Sequence, residues 1–105
     1  GLTFKENCPD IRNSNVIDVI RELGKYGAHI DVYDPWVDGA AARHEYGLRP
    51  VRTLKRAHYD AAVVAVGHRE FRNLGAAGIR RLCRRRHVLY DIKYLFPAAE
   101  VDGRL

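Results

Sequence analysis

Cationic side chains lie where the sequence predicts loops that follow strands. Lys5 and Arg12 share one polar segment near the start of the chain, and Lys93 follows an apolar segment near its end. A lysine supplies a point charge to a phosphate, whereas an arginine supplies a planar fork that binds phosphate or carboxylate oxygens in pairs. These residue types predict an anionic ligand. The opposing hypothesis is that the first two cations only brace a long loop by pairing with Glu6 and Asp10.

The segment from residue 5 to residue 13 bears on dinucleotide binding. It lacks the glycine turn G-x-G-x-x-G, without which a pyrophosphate cannot approach the backbone at a helix N-terminus. Ordinary NAD binding by this segment is therefore disfavoured. Asp34 ends a predicted strand, where NAD-binding sheets place a ribose-binding carboxylate. Because the glycine turn is absent, the sequence favours a role for Asp34 in the turn into Pro35 and Trp36.

Five arginines fall within residues 80–86, which the sequence predicts to be the end of a helix and the residues just beyond it. A nucleic-acid surface is one interpretation, but the segment has no interleaved aromatic residues and no recognisable reading motif. Positive charge also complements the negative C-terminal end of a helix. The pattern favours a solvated helix end.

The remaining reactive side chains predict neither a nucleophile nor a metal centre. Cys8 and Cys83 are far apart, without the C-x-x-C or histidine spacing of a zinc site. Cys8 is interpreted as a small loop residue. His68 directly follows an apolar run, and it is interpreted as a satisfied surface histidine rather than as a ligand contact. We expect no catalytic residue and no metal ligand in this chain.

Composition limits the class of protein. The chain has 105 residues, a net charge of +5 and 47% hydrophobic residues, which suits one globular domain and leaves no room for two. It contains no methionine and begins at Gly1, so we expect a fragment of a larger protein. No apolar run approaches the roughly 20 residues of a membrane span, so we expect a domain without membrane contact. The two widely separated cysteines make a reduced, cytoplasmic protein the default expectation. The positive charge favours anionic partners without choosing among them.

Changes in apolar periodicity predict the elements that must position these side chains. The predicted strands cover residues 2–4, 29–34, 48–51, 61–66 and 87–92. The predicted helices cover residues 14–26, 38–46, 53–57 and 74–86. This order predicts an α/β fold, a Rossmann-like open doubly wound parallel sheet of about five strands with helices on both faces and a truncated first strand.

The predicted sheet locates the ligand edge. The unbroken apolar run at residues 61–66 is typical of a strand covered on both faces. Ligands of open α/β sheets bind at the carboxyl ends of the strands. Lys5 and Lys93 each follow a predicted strand directly, so both are expected at that edge.

Three segments resemble one known family. They are residues 1–14 (GLTFKENCPDIRNS), residues 32–36 (VYDPW) and residues 90–93 (YDIK). Together they resemble the C-terminal domain of the UDP-glucose/GDP-mannose dehydrogenases, and the resemblance covers nearly the whole chain. Within that family, the wording ENCPDIRN looks more like bacterial UDP-N-acetylhexosamine 6-dehydrogenases than UDP-glucose dehydrogenases.

The resemblance implies a single nucleotide-sugar (UDP) binding domain over residues 1–105 of a larger, cytoplasmic dehydrogenase. An N-terminal domain would hold NAD, and a central helical region would form a homodimer or higher oligomer. The whole enzyme would oxidise the C6 hydroxyl of a UDP-sugar to a carboxylate by two hydride transfers, through a thioester on a cysteine upstream of this chain. The subgroup suggests polysaccharide biosynthesis, for capsule or O-antigen. The isolated chain is expected to bind without turnover.

The resemblance also assigns roles to four residues. Phe4 and Lys5 match the substrate-contacting pair, and Arg12 matches the residue that reaches NAD held by the other domain. Lys93 matches a position where many relatives use arginine for the nucleotide sugar. No contact with nucleic acid or membrane is implied.

Two alternatives remain open from the sequence. One is a basic α/β module that binds nucleic acid through residues 80–86. The other is a subunit-assembly module, in which Trp36 and exposed helices make subunit contacts and the cations are braces. Both differ from the substrate-domain hypothesis in having no ligand at the carboxyl ends of the strands.

Overall fold

The computed structural model describes all 105 residues, which form two compact units, Gly1–Thr53 and Leu54–Leu105. The first unit contains helices α1 (Val16–Lys25) and α2 (Gly39–Tyr46). The second contains, in chain order, strand β1 (Tyr59–Val64), helix α3 (Arg69–Arg80), strand β2 (Cys83–Asp91), a 3₁₀ turn (Ala98–Glu100) and strand β3 (Gly103–Arg104). The longest helix has 12 residues, and none has the length and apolar character that a bilayer crossing requires.

Short polar side chains begin the helices of the first unit. The Ser14 hydroxyl accepts a hydrogen bond from the backbone N–H of Val16 at 3.3 Å, and the Asp38 carboxylate accepts one from Ala40 at 3.1 Å. Both bonds satisfy N–H groups that have no partner inside the helix. Gly47 ends α2 with a φ of +68°, a backbone conformation that glycine adopts without steric cost. The helices predicted at residues 14–26 and 38–46 are confirmed, with slightly shorter bounds.

Four buried apolar residues form the core of the first unit: Leu2, Ile11, Ile17 and Ala42. Ile17 comes from α1 and Ala42 from α2. Leu2 and Ile11 flank the segment that carries Lys5. The core therefore holds both ends of this segment while its middle remains exposed.

The strands predicted at residues 2–4, 29–34 and 48–51 are not formed. One backbone hydrogen bond, from the N–H of Val51 to the carbonyl of Val32 at 2.8 Å, joins the second and third of these segments. The N–H groups of Leu2 and Thr3 donate to the Asp34 carboxylate instead of to a neighbouring strand. A side chain thus replaces a strand ladder here, and the sheet has three strands rather than about five.

The second unit contains a parallel sheet in the order β1, β2, β3. Ala62 pairs with Leu89 and Val64 pairs with Asp91 across the first two strands. Helix α3 contacts β2. The predicted α/β class with a parallel sheet is confirmed.

One face of this sheet is more exposed than the sequence predicted. Val64 and Leu89 are buried, whereas Val63 is 39% exposed and Val88 is 49% exposed. Val88 pairs with Ala61, two residues before Val63, so these three side chains share a face. The prediction that residues 61–66 are covered on both faces is wrong for this part of the strand. The second unit contains a single α-helix, and one helix can cover only one of the two faces of a sheet.

Helix α3 begins and ends earlier than the predicted helix at residues 74–86. It starts at Arg69, because the N–H groups of Phe71 and Arg72 donate to the carbonyl of His68. Gly75 interrupts it with a φ of +75°. The residues from Cys83 onward belong to β2, so the arginines at positions 84–86 lie in a strand rather than at a helix end.

The short helix predicted at residues 53–57 is also absent. The N–H groups of Ala57 and His58 donate to the carbonyls of Arg81 and Leu82 at 3.0 and 2.9 Å. These donors are therefore used for contact with the end of α3 rather than for a helical turn. The connection runs alongside residues 81–82 and leads directly into β1.

Candidate functional site

The loop of residues 4–13 presents the first group of predicted site residues. The N–H of Phe4 donates to the carbonyl of Asp10 at 2.7 Å, which closes the loop on itself. Asn7 and Asn13 adopt left-handed backbone conformations, with φ of +53° and +57°, which asparagine tolerates better than most residues. The Phe4 ring is 59% exposed. The loop thus presents an aromatic ring to solvent at its entrance.

Arg12 forms a two-pronged ion pair inside this loop. Its Nε and Nη2 donate to the two carboxylate oxygens of Asp10, each at 3.0 Å, and its backbone N–H donates to the same carboxylate at 2.9 Å. The hydrogen bonds from the Arg12 side chain lower the pKa of the Asp10 carboxyl from 3.8 to about 2. The same pair raises the pKa of Arg12 above its usual value. The Arg12 side chain remains 78% exposed.

Lys5 differs from Arg12 because it forms no ion pair. Its side chain is exposed, and its backbone carbonyl accepts a hydrogen bond from the Thr3 hydroxyl at 2.9 Å. The hypothesis that both cations brace the loop therefore holds for Arg12 with Asp10 and fails for Lys5 with Glu6. Lys5 is therefore an unpaired positive charge, and the Thr3 hydroxyl holds the backbone from which it extends.

Asp34 is the anchor of this part of the molecule. Its buried carboxylate accepts the N–H groups of Leu2 at 2.7 Å, Thr3 at 3.1 Å and Trp36 at 2.8 Å. The bond to Trp36 confirms the predicted turn at Pro35. The bonds to residues 2 and 3 hold the segment from which Phe4 and Lys5 emerge. Sequence reasoning missed this second task, since nothing local links residues 31 positions apart.

Lys93 lies in the second unit, directly after β2. Asp91 is fully buried at the end of that strand, and its carboxylate accepts the N–H groups of Lys93 at 3.1 Å and Phe96 at 2.9 Å. The N–H of Ile92 continues the ladder by donating to the carbonyl of Val64 at 3.0 Å. The Lys93 side chain is exposed. It therefore stands at the carboxyl edge of the sheet, as the sequence predicted.

The anchoring role of Asp91 had a usable signal in the sequence. Asp34 is the last residue of a predicted strand and Asp91 is the next-to-last residue of another, and each binds the backbone N–H two residues later. This is the bond of an Asx turn, for which an aspartate at a strand end is a recognised sign. Phe4, Lys5 and Arg12 thus share one loop of the first unit. Lys93 lies in the second unit, where a buried aspartate likewise holds the backbone beside an exposed lysine.

His68 is not the surface residue that the sequence favoured. It is fully buried, and its ring centroid lies 5.4 Å from that of Phe71. Its carbonyl accepts the first N–H groups of α3, from Phe71 and Arg72. That prediction is wrong, because a residue between a buried strand and a buried helix face is enclosed by both.

The two cysteines differ in their surroundings. Cys83 is buried, its thiol donates to the carbonyl of Ile79 at 3.9 Å, and burial raises the pKa of that thiol. Cys8 is a half-buried loop residue. The structure brings together no group of three His, Cys, Asp or Glu side chains that could hold a metal ion. The exposed cations of both loops can bind anions.

Comparison with known proteins gives related sequences. Residues 1–98 match the UDP-glucose/GDP-mannose dehydrogenase family, UDP binding domain. Over all 105 residues, the chain is 55% identical to a UDP-N-acetyl-D-glucosamine 6-dehydrogenase of Salmonella typhi and 53% identical to one of Pseudomonas aeruginosa. It is 35% identical, over 97% of its length, to Protein CapL of Staphylococcus aureus. The chain spans about a quarter of each relative, 25%, 25% and 24% respectively.

These matches agree with the resemblance carried by residues 1–14, 32–36 and 90–93. The matched region includes the whole first unit, the second unit as far as residue 98, and all four predicted site residues. The two relatives above 50% identity carry the subgroup name that the wording of residues 6–13 indicated. The chain therefore belongs to the UDP-glucose/GDP-mannose dehydrogenase family, and the part of that family it matches is the UDP binding domain.

Proposed function

We propose that this chain is the UDP-sugar-binding domain of an NAD-dependent UDP-sugar 6-dehydrogenase. The observation that carries the proposal is the family match over residues 1–98, which includes both cationic loops. Residues 1–105 form one functional domain in this proposal, although they fold as two compact units. The family match favours this function over a nucleic-acid-binding or subunit-assembly module.

Lys5, Lys93 and Phe4 are the proposed substrate contacts. Both lysines are exposed, neither forms an ion pair, and each emerges from a backbone held by a buried aspartate. An unneutralised ammonium group suits a phosphate of a UDP-sugar. The exposed Phe4 ring offers an apolar face beside one of them.

Arg12 is the proposed contact to NAD⁺. Its guanidinium uses Nε and Nη2 for Asp10, which leaves Nη1 to donate to a phosphate oxygen. The loop has no glycine turn, so its residues fit one contact to the dinucleotide rather than its main binding site. We place that main site in another domain of the full protein. When bound, NAD⁺ accepts the hydride that leaves C6 of the sugar.

The contribution of this domain to the reaction is positional. Oxidation of a CH₂OH group to a carboxylate releases two hydrides, one to each of two NAD⁺, and takes up one water. The UDP group does not react, so holding it fixes C6 with respect to groups supplied by the rest of the enzyme. We propose that this chain contributes no catalytic residue and is inactive when isolated.

The identity of the sugar and the setting of the enzyme are the finer parts of the proposal. The two relatives above 50% identity are named for UDP-N-acetyl-D-glucosamine, and we propose a UDP-N-acetylhexosamine as substrate. We further propose a cytoplasmic homodimer or higher oligomer that serves polysaccharide biosynthesis, in capsule or O-antigen formation.

Amide NMR titration of the full chain with UDP, UDP-N-acetylglucosamine and NAD⁺ tests the proposal. We expect both UDP compounds to shift the amides of residues 4–12 and of Lys93, and NAD⁺ alone to shift few. K5M/K93M should weaken UDP binding by at least tenfold. K25M, which removes an exposed lysine of α1, is the matched control. Binding of NAD⁺ without UDP, or of neither, would overturn the proposal.

A further inference from the structure

The arginine run at positions 84–86 forms an irregularity in strand β2. Tyr59 pairs with Cys83, and the next pair is Ala61 with Val88. Between these two pairs β1 has one residue, Asp60, while β2 has four, residues 84–87. Three additional residues are therefore accommodated on one strand. We call residues 84–86 the arginine bulge.

Hydrogen bonds hold the ends of the arginine bulge. A ring nitrogen of His87, Nδ1, lies 2.7 Å from the carbonyl of Arg84. The other, Nε2, lies 2.9 Å from Nη1 of Arg80. A guanidinium can only donate, so Nε2 accepts and Nδ1 carries the proton that it donates to Arg84. Asp60 forms an ion pair with Arg84 at 3.5 Å. The bulge is thus a built feature rather than a frayed strand.

Several cations on and beside the bulge remain without a carboxylate. Arg85 and Arg86 are exposed and form no ion pair, and the same is true of Arg81. Lys55 and Arg56 are also exposed and unpaired, and they lie in the segment whose N–H groups bind the carbonyls of residues 81–82. These five residues form the basic surface of the second unit.

Charge is concentrated on this surface. The second unit has 11 Lys+Arg residues against five Asp+Glu, whereas the first has seven against eight. Like charges on adjacent exposed residues, such as Arg85 and Arg86, repel one another. A small anion with several charges offsets this repulsion efficiently, because several forks can share its oxygens.

The basic surface is separate from the proposed substrate contact in the same unit. The arginine bulge lies in the first half of β2, and Lys93 follows its carboxyl end. Four paired positions, residues 88–91, lie between them. The five steps along the strand from Arg86 to Asp91 span roughly 16 Å at about 3.3 Å per residue. One small ligand at Lys93 therefore does not reach the bulge.

We propose that Arg81, Arg85 and Arg86 form a second anion site, for a compact phosphate-bearing ligand of the diphosphate or triphosphate class. Lys55 and Arg56 add charge around it. Arginine forks suit the paired oxygens of phosphates. Residues 81–86 include no aromatic residue for stacking the bases of a nucleic acid.

Calorimetric titration of the full chain with inorganic pyrophosphate tests this site, at constant ionic strength and in saturating UDP. UDP occupies the proposed substrate contacts, so heat from pyrophosphate reports the basic surface. We expect R85Q/R86Q to bind pyrophosphate at least tenfold more weakly and R85K/R86K to show an intermediate loss. The control R43Q/R72Q removes two exposed arginines elsewhere and should bind as wild type does.

Three outcomes would overturn the proposal. Equal weakening in R43Q/R72Q would mean that only net charge matters. Tighter Arg85- and Arg86-dependent binding to vesicles containing phosphatidylglycerol, or to polyglutamate, would assign the surface to a membrane or an acidic protein. Absence of pyrophosphate binding would exclude the site. UDP binding is measured separately in the first step, so a failure of the proposed function is recognised independently.

Discussion

The loop that carries Lys5 and the loop that carries Lys93 are anchored by the same chemistry across very different sequence distances. In each, a buried carboxylate accepts backbone N–H groups. Asp34 binds the N–H of Leu2, 32 residues before it, whereas Asp91 binds that of Lys93, two residues after it. The first loop also lacks a strand ladder, and the second continues directly from one.

This difference shows how each cation depends on the rest of the molecule. The local bonds of Asp91 form once β2 and its end are in place, since little chain entropy is lost in a short loop. The bonds of Asp34 to Leu2 and Thr3 require the intervening helix α1 and the core of Leu2, Ile11, Ile17 and Ala42. The position of Lys5 is thus a property of the whole first unit, and that of Lys93 is a property of one strand end.

The largest expected effect is that of D34A. It leaves three backbone N–H groups without their acceptor, two of them fully buried, at a cost of about 3–5 kcal/mol in the free energy of unfolding. Urea denaturation followed by circular dichroism measures this loss. The control E6Q changes an exposed carboxylate in the same unit and should leave the midpoint unchanged. A smaller loss of unfolding free energy in D34A than in D91A would mean that the long-range anchor contributes less than the local one.

D91A should cost less, about 2–4 kcal/mol, because two N–H groups lose their acceptor. The NMR changes should be confined to residues 92–96 and the neighbouring end of β1, with the first unit unaffected. E100Q, at an exposed carboxylate of the second unit, is the control. Amide shifts spread through residues 1–53 would contradict a purely local anchor.

The next effect concerns ligand affinity rather than stability. K5M and K93M should each weaken UDP binding about tenfold, or about 1.4 kcal/mol, with unfolding midpoints close to that of wild type. Calorimetric titration with UDP measures the affinity of each variant. If K93M binds UDP as wild type does, the second loop has no part in the proposed substrate contact, and the comparison between the loops becomes purely structural.

The smallest effect is a dependence on acid. The pKa of Asp10 falls from 3.8 to about 2 on folding, so its contribution to stability is complete above about pH 4 and is lost as the pH falls toward 2. Arg80 likewise lowers the pKa of Asp102 in the second unit. D10N should abolish only the contribution of Asp10 to this acid sensitivity and leave that of Asp102. Comparison of urea midpoints at pH 6 and pH 2.5 measures it, and identical acid sensitivity in D10N would show that the Arg12 pair is energetically silent.

Residue patterns predicted the fold unevenly. Helices α1 and α2 were predicted because polar residues and glycine at their ends act on adjacent backbone. The helix predicted at residues 74–86 was right as far as Arg80 and wrong beyond it, because its apolar spacing continued past the point where the chain turns into β2. Periodicity alone cannot separate a helix end from a strand start when both carry exposed arginines.

The candidate site shows the same division. The sequence identified Lys5 and Lys93 as cations after strands, and it posed the choice between binding and bracing for Arg12. Geometry assigned Arg12 to an ion pair with Asp10 and left Lys5 unpaired. Two side chains separated by two residues can pair or not, depending on how the loop closes, and that closure depends on the buried Ile11.

The sequence by itself determined the family, the α/β class, two helices and the cations, because these follow from residue types and their spacing over a few positions. Tertiary structure decided which N–H groups Asp34 would bind, that His68 would be buried, and that the arginines after Cys83 would bulge from a strand. Each of these depends on groups brought together from distant positions or on pairing with another strand. Such contacts are selected by the packing of the whole unit, so local pattern does not specify them.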